Sequence, residues 1–479
     1  MTLDPRQRYD NPLVERYASP EMSRLFSAET KFRTWRRLWV ALAEAERELG
    51  LPITAAQVAE LRRAQDDVNY DEADALERTL RHDVMAHIRA YGLQCPAAKG
   101  VIHLGATSAY VVDNTDLILL RDALDLIRAR LVNAIDALAR FARTHRDVPT
   151  VGYTHFQPAQ FTTVGRRACL WLQELLLDLD HLEHHRGALR FLGVKGAVGT
   201  QASFLALFRG NADRVRRLDL GVARRMGFPG VYAVSGQTYS RKVDAFALGV
   251  LAGIAQSAHK FSNDIRLLQH LRQVEEPFRE EQVGSSAMAY KRNPMMSERL
   301  ASLSRHVITL APGAQYTAAL QWFERTLDDS AGKRIATPEA FLAADAALLL
   351  LTAIVRGAVV HRSVIEAAVR EELPSILTEN LLMEAVKRGG DRQALHERIR
   401  RHAMAAAERR KAGKSSDLVA RLRRDPAFGF AARSWKRLLD PRGYIGRSPA
   451  QVDEFLTREV APRLRRHRGL LGREADIRV

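Results

Sequence analysis

Apolar residues recur along this chain in steps of three and four over stretches far longer than an ordinary helix needs. One stripe runs through Leu117, Leu120, Leu124, Ile127, Leu131, Ile135, Leu138 and Phe141. Its helix is expected to start near Asp113-Asn114, both good capping residues. A second stripe runs from Ser240 to Leu271 through Phe246, Val250, Ile254, Ala258, Phe261, Ile265 and Leu268. Thr162 to Leu192 and Pro338 to Glu372 carry further long helical patterns. Lys31 to Leu49 reads as a shorter, aromatic-rich amphipathic helix stopped by Gly50 and Pro52. Helices of about thirty residues are about 45 Å long at a rise of ~1.5 Å per residue. The chain therefore reads as all-α, with a central bundle of long helices. Their apolar faces are broad enough that other subunits are expected to bury part of them. A coiled-coil scaffold would share this pattern, but its loops would not need the Gly, Thr, His and Gln found here.

The pattern divides the chain into a mostly helical N-terminal domain over 1–110, a long-helix domain over 111–362 and a basic helical C-terminal domain over 363–479. The composition, 46% hydrophobic and 27% charged, is that of a soluble globular protein. Lys+Arg 73 against Asp+Glu 56 gives a net charge of +17. That charge admits a nucleic-acid binder, but no nucleic-acid motif or stripe of basic and aromatic residues accompanies it. The alternative is an anionic small-molecule substrate, which a positive surface would steer inward. Runs such as Arg398-Ile399-Arg400-Arg401 read as solvated helix faces. Cys95 and Cys169 form neither a CxxC pair nor a metal-spaced set, which suits a reducing cytosol. The polar start, Met1 to Asn11, lacks a signal core, and the apolar run Ala346 to Val355 is too short to span a bilayer. A cytoplasmic protein without a membrane segment is expected.

Candidate chemistry lies where the periodicity stops. The stretch Gly284-Ser285-Ser286-Ala287-Met288-Ala289-Tyr290-Lys291-Arg292-Asn293-Pro294 combines a movable glycine, two hydroxyls, an ammonium and an amide. Such a loop can aim donors at one developing negative charge. Arg81-His82-Asp83, His103 to Ser108, Thr154 to Gln160, Ser235 to Lys242 and Trp322 to Ser330, with Arg334 beyond, share the same polar character. Each has a plainer reading alone. His155 can simply finish a turn, Thr107-Ser108 can cap a helix, Arg325 and Arg334 can be surface ion pairs, and Gly284-Ser285-Ser286 can be a flexible connector. Joint occurrence at the ends of long helices favours a shared site.

These segments resemble the fumarase/aspartase superfamily, whose signature loop reads Gly-Ser-Ser-x-Met-x-x-Lys-x-Asn-Pro. Within it the chain is similar to the adenylosuccinate lyase family, in the animal-type form, through Arg16 to Glu21, Lys31 to Trp35, Arg81 to His87, Thr154 to Gln160, Gly236 to Lys242 and Glu324 to Ser330. The resemblance implies a three-domain subunit whose central bundle assembles into a tetrameric helical core. It implies elimination of fumarate from adenylosuccinate, giving AMP, and from succinylaminoimidazole-carboxamide ribotide. It also implies sites shared between subunits of a homotetramer. Argininosuccinate lyase and aspartase are the neighbouring alternatives.

The elimination needs a base for a Cβ proton, cations or N–H groups for the resulting aci-carboxylate, and an acid for the leaving nitrogen. The signature makes Ser285 the base, with Ser286 as the alternative serine. His155 is the candidate acid. By resemblance Glu298 orients it, Lys291 supports the alkoxide, and Lys291 and Asn293 meet the carboxylates of the nascent fumarate. Resemblance also assigns substrate binding to Arg16, Tyr17, Arg81, His82, Asp83, Thr107, Ser108, Gln237, Arg299, Arg325, Ser330 and Arg334. Two carboxylates and a phosphate bring about four negative charges to be matched. No metal or organic cofactor is needed, because no net electrons move. One departure is Ala289, where the family usually has proline; its loss should loosen the open loop.

Overall fold

The structure is a computed structural model and describes residue 7, residues 9–279 and residues 281–472. It is all-α, with four short strands among the described residues. Five long helices pack together as the central bundle: Ser108–Thr144, Val164–Ala188, Lys242–His270, Met295–Ala319 and Asp329–Gly357. The Ser108–Thr144 helix is 37 residues long, and the stripe from Leu117 to Phe141 is buried along its length. The aromatic helix Ala28–Glu48 is capped by Ser27, whose hydroxyl accepts from Thr30 N, and it buries Trp35 and Trp39.

Three boundaries depart from the sequence expectation. The first long helix starts at Ser108 rather than at Asp113-Asn114. Asp113 and Asn114 lie buried inside it, where their short polar side chains take tertiary partners. Asp113 pairs with Arg241 at 3.0 Å, and the Asn114 amide both donates to and accepts from the Gly193 backbone at 3.0 Å. The stretch expected as one helix from Pro338 to Glu372 is two, Asp329–Gly357 and Arg362–Val386. Between them Val359–Val360 pairs with Val274–Glu275 as a two-residue ladder. A side chain at Gly357 would meet the Pro277 ring at 2.5 Å, so the chain must turn there without one. The third departure is the hairpin of Pro149–Thr154 and Gln157–Thr163, which interrupts the helical pattern and packs on the Arg362–Val386 helix.

The helix Asp329–Gly357 is long and apolar enough to cross a membrane, although the run Ala346 to Val355 alone is not. Most of its apolar length, 78% of the relevant window, is buried within the bundle instead.

The Ala28–Glu48 helix also buries a carboxylic acid. Glu46 is fully buried, and neither side-chain oxygen has a partner among the described residues. Burial pushes its pKa up to about 9. Below the ordinary carboxylate range both folded and unfolded chains hold the proton, and nothing is lost. From about pH 4.5 towards about 9 the unfolded chain ionises while the folded one does not, so stability falls as pH rises. Glu46→Gln removes that proton linkage. Its melting temperature relative to the parent should therefore climb between pH 5 and pH 8; an equal offset at both would show that Glu46 is not held protonated.

Candidate active site

Arg81, His82, Asp83, Thr107, Ser108, Gln237, Arg325, Ser330 and Arg334 line one open cleft of about 970 Å³. Four chain segments deliver them. Arg81 ends the helix Tyr70–Leu80 with a left-handed backbone (φ 53°), and His82 caps the helix Asp83–Gln94 by accepting from Met85 N at 3.3 Å. Two successive helices thus meet at a sharp corner that presents both side chains. Thr107 is the N-cap residue of the longest helix, yet its side chain makes no capping bond; capping was the plainer reading of this position. The Ser108 hydroxyl lies 3.3 Å from His82 Nε2. Gln237 Nε2 donates to Ala197 O at 3.0 Å, and its Oε1 accepts from Arg325 Nη1 at 2.8 Å. Arg334 reaches Asp83 at 3.5 Å. Gly236 lets the Gln237 segment lie against the Glu324-Arg325 segment, because a Cβ there would sit 2.2 Å from Glu324 O.

His103 shares the polar segment that ends at Ser108 but serves a different purpose. Its Nδ1 accepts from Trp39 Nε1 at 2.9 Å, and burial holds its pKa down at about 4. It is a neutral, half-buried ring, with no imidazolium proton to give near neutrality.

The signature loop is closed on itself. Asn293 Nδ2 donates to Gly284 O at 2.9 Å, Lys291 N donates to Met288 O at 3.0 Å, and Gln269 Nε2 holds Arg292 O at 3.0 Å. A Cβ on Gly284 would lie 2.2 Å from Lys291 O, so only glycine lets the two ends of the loop touch. Inside it, Ser285 Oγ accepts from Met288 N at 3.2 Å and from Ala287 N at 3.4 Å. Two N–H groups converging on a hydroxyl oxygen lower the cost of its alkoxide form. Lys291 is exposed beside them. The loop exit is pinned by a residue outside the candidate set. Buried Glu276 accepts from Met296 N, Ser297 N and Ser297 Oγ at 2.9, 2.8 and 2.7 Å, capping the helix Met295–Ala319 from outside it. Glu298 and Arg299 lie in the first turns of that helix, and the Arg299 guanidinium stands 5.7 Å from the Tyr17 ring centroid. Arg16 and Tyr17 close the short turn Leu13–Tyr17, against the Asp329–Gly357 helix.

His155 occupies a third location, the tip of the hairpin. Thr154 pairs with Gln157, and the two residues between them, His155 and Phe156, have φ of 52° and 58°. Two successive left-handed residues make the tight turn that best matches strand twist, one usually built with Asn or Gly. A histidine held there, exposed, is strained locally in the manner common at functional sites. Among the described residues, no hydrogen bond joins His155 to Glu298 or to Ser285. The candidate residues thus fall into three sets, the cleft, the signature loop with the Tyr17–Arg299 pair, and the hairpin tip, and neither Ser285 nor His155 lines the cleft.

Two family models match the chain, one described as Lyase over residues 16–309 and one as Adenylosuccinate lyase C-terminus over residues 374–455. The adenylosuccinate lyase of Saccharomyces cerevisiae is 51% identical over 457 residues, covering 94% of this chain and 95% of that protein. The chain belongs to the adenylosuccinate lyase family. The adenylosuccinate lyase of Schistosoma mansoni is 45% identical over 480 residues and covers 100% of both chains. Among solved structures, a fumarate lyase from Mesorhizobium sp. BNC1 superimposes with a TM-score of 0.80 at 25% identity, covering 94% of this chain and 100% of that one.

Proposed function

We propose that this lyase eliminates fumarate from adenylosuccinate, leaving AMP, and from succinylaminoimidazole-carboxamide ribotide, within purine nucleotide biosynthesis in the cytoplasm. The observation that carries the reading is the convergence of Arg81, Arg325, Arg334, Gln237 and the Thr107-Ser108 hydroxyls on one cleft. Guanidinium groups suit the phosphate and carboxylates of such a substrate, because each can bind an oxyanion pair in a fork.

In this reading Ser285 removes the Cβ proton as an alkoxide, steadied by the Ala287 and Met288 N–H groups and by Lys291 once the loop closes over substrate. Lys291 and Asn293 take the charge that develops on the carboxylate. His155, held by Glu298, protonates the leaving nitrogen. Arg16, Tyr17 and Arg299 complete the anion contacts. Because neither Ser285 nor His155 lines the cleft of its own chain, the working site is assembled from three subunits of a homotetramer. Exposed apolar side chains on the long helices support that assembly: Leu170 and Leu177 lie on one helix, Phe246 and Leu267 on another.

The test is turnover. The purified protein, given each substrate in turn, should change the ultraviolet absorbance as fumarate is released. Turnover of argininosuccinate or aspartate instead, with neither nucleotide accepted, would assign the fold to a different elimination.

A further inference from the structure

Adjoining the cleft is a second, more enclosed space of about 270 Å³, which shares Val112, Arg325, Ser330 and Arg334 with the cleft lining. Arg241 stands in its lining and is 3% exposed. Its Nε donates to Asp329 at 2.5 Å, and its Nη2 donates to both oxygens of Asp113 at 3.0 and 3.3 Å. The Tyr239 ring lies beneath it, with the guanidinium carbon 4.6 Å from the ring centroid. Lys333 completes the cluster, 3.5 Å from Asp113 and 2.5 Å from Asp116. None of Arg241, Asp113 and Asp329 lines the substrate cleft.

Each partner is covalently close to a residue that does. Arg241 lies four residues after Gln237, Asp329 immediately precedes Ser330, and Asp113 lies on the helix that opens with Ser108. Three of the segments that build the cleft are therefore clamped by one guanidinium. A buried ionic cluster is a poor source of stability, since desolvation offsets most of the attraction, and its value lies in fixing geometry. Arginine suits the task because its planar fork sets two directions at once, whereas an ammonium is a single point.

We infer that Arg241 is a positioning residue for substrate binding, setting the relative placement of Gln237, Ser330 and the Ser108 hydroxyl without touching substrate. The inference rests on the proposed elimination, so the parent protein is assayed first; failure of the parent to turn over adenylosuccinate would count against that reading and not against the clamp. In the active protein, Arg241→Lys should raise KM for adenylosuccinate at least ~10-fold while kcat stays within about threefold, because the loop and hairpin are untouched. Since Arg241 places Gln237 together with Ser330 and Ser108, the double variant Arg241→Lys/Gln237→Ala should show a KM below the product of the two single effects. An unchanged KM with a lowered melting temperature would reduce Arg241 to a structural ion pair. Fully multiplicative KM effects would also overturn the inference. If Arg241→Lys does not fold, Asp329→Asn, which keeps the side-chain shape, takes its place in the same two measurements.

Discussion

Ser285→Ala is expected to cut kcat for adenylosuccinate by at least ~10² while leaving the melting temperature and the assembly unchanged. The two effects separate because of where the hydroxyl sits. Ser285 Oγ accepts from Ala287 N and Met288 N at the protein surface, so its removal returns two donors to water rather than stranding them in the core. The chemistry has no such substitute. A serine hydroxyl in water is a very weak acid, and on the proposed mechanism the converging N–H groups and Lys291 make its alkoxide accessible. Ser286→Ala is the control, because Ser286 occupies the next position in the same exposed loop. Near-normal turnover by the Ser285 variant together with loss in the Ser286 variant would transfer the role to the second serine.

His155→Ala should lose at least a comparable ~10² in kcat, since the leaving nitrogen would have to depart without its proton donor. The larger consequence concerns architecture. If the hairpin of one subunit serves the signature loop of another, two inactive proteins can repair each other. A mixture of the Ser285→Ala and His155→Ala proteins, after verified subunit exchange, should regain part of the parent activity, because some sites then combine an intact loop with an intact hairpin. Absence of recovery would mean that each chain must supply both groups to the same site. Alanine is also a harder fit than histidine's usual substitutes at a left-handed position, so the His155 variant needs its melting temperature measured alongside its rate.

Much of this molecule was legible before the structure was described, for a physical reason. Period-3.6 stripes such as Leu117 to Phe141 are long, and each added turn strengthens the signal. The cleft was legible as composition, because polar segments such as Arg81-His82-Asp83 and Ser235 to Lys242 interrupt those stripes. Helix boundaries were harder to read. Asp113 and Asn114 are residues that cap helices well, but tertiary partners claimed them for the interior, and nothing local distinguishes the two uses. The hairpin around His155 was missed because its strands are short and lie between two strong helical patterns. Glu276 and Arg241 were missed for a related reason. Each does its work through partners far away in sequence, at Met296 and Ser297 for one and at Asp113 and Asp329 for the other.

The Asp329–Gly357 helix is apolar enough to be mistaken for a bilayer segment, and it is the last helix of its bundle to be made. Its packing partners, Ser108–Thr144, Lys242–His270 and Met295–Ala319, all precede it in the chain. During synthesis they leave the ribosome first and can form a waiting groove. The stickiest stretch of the protein thus emerges into a receptive surface, and the order of the gene itself shortens the time in which it could find a membrane or an aggregate.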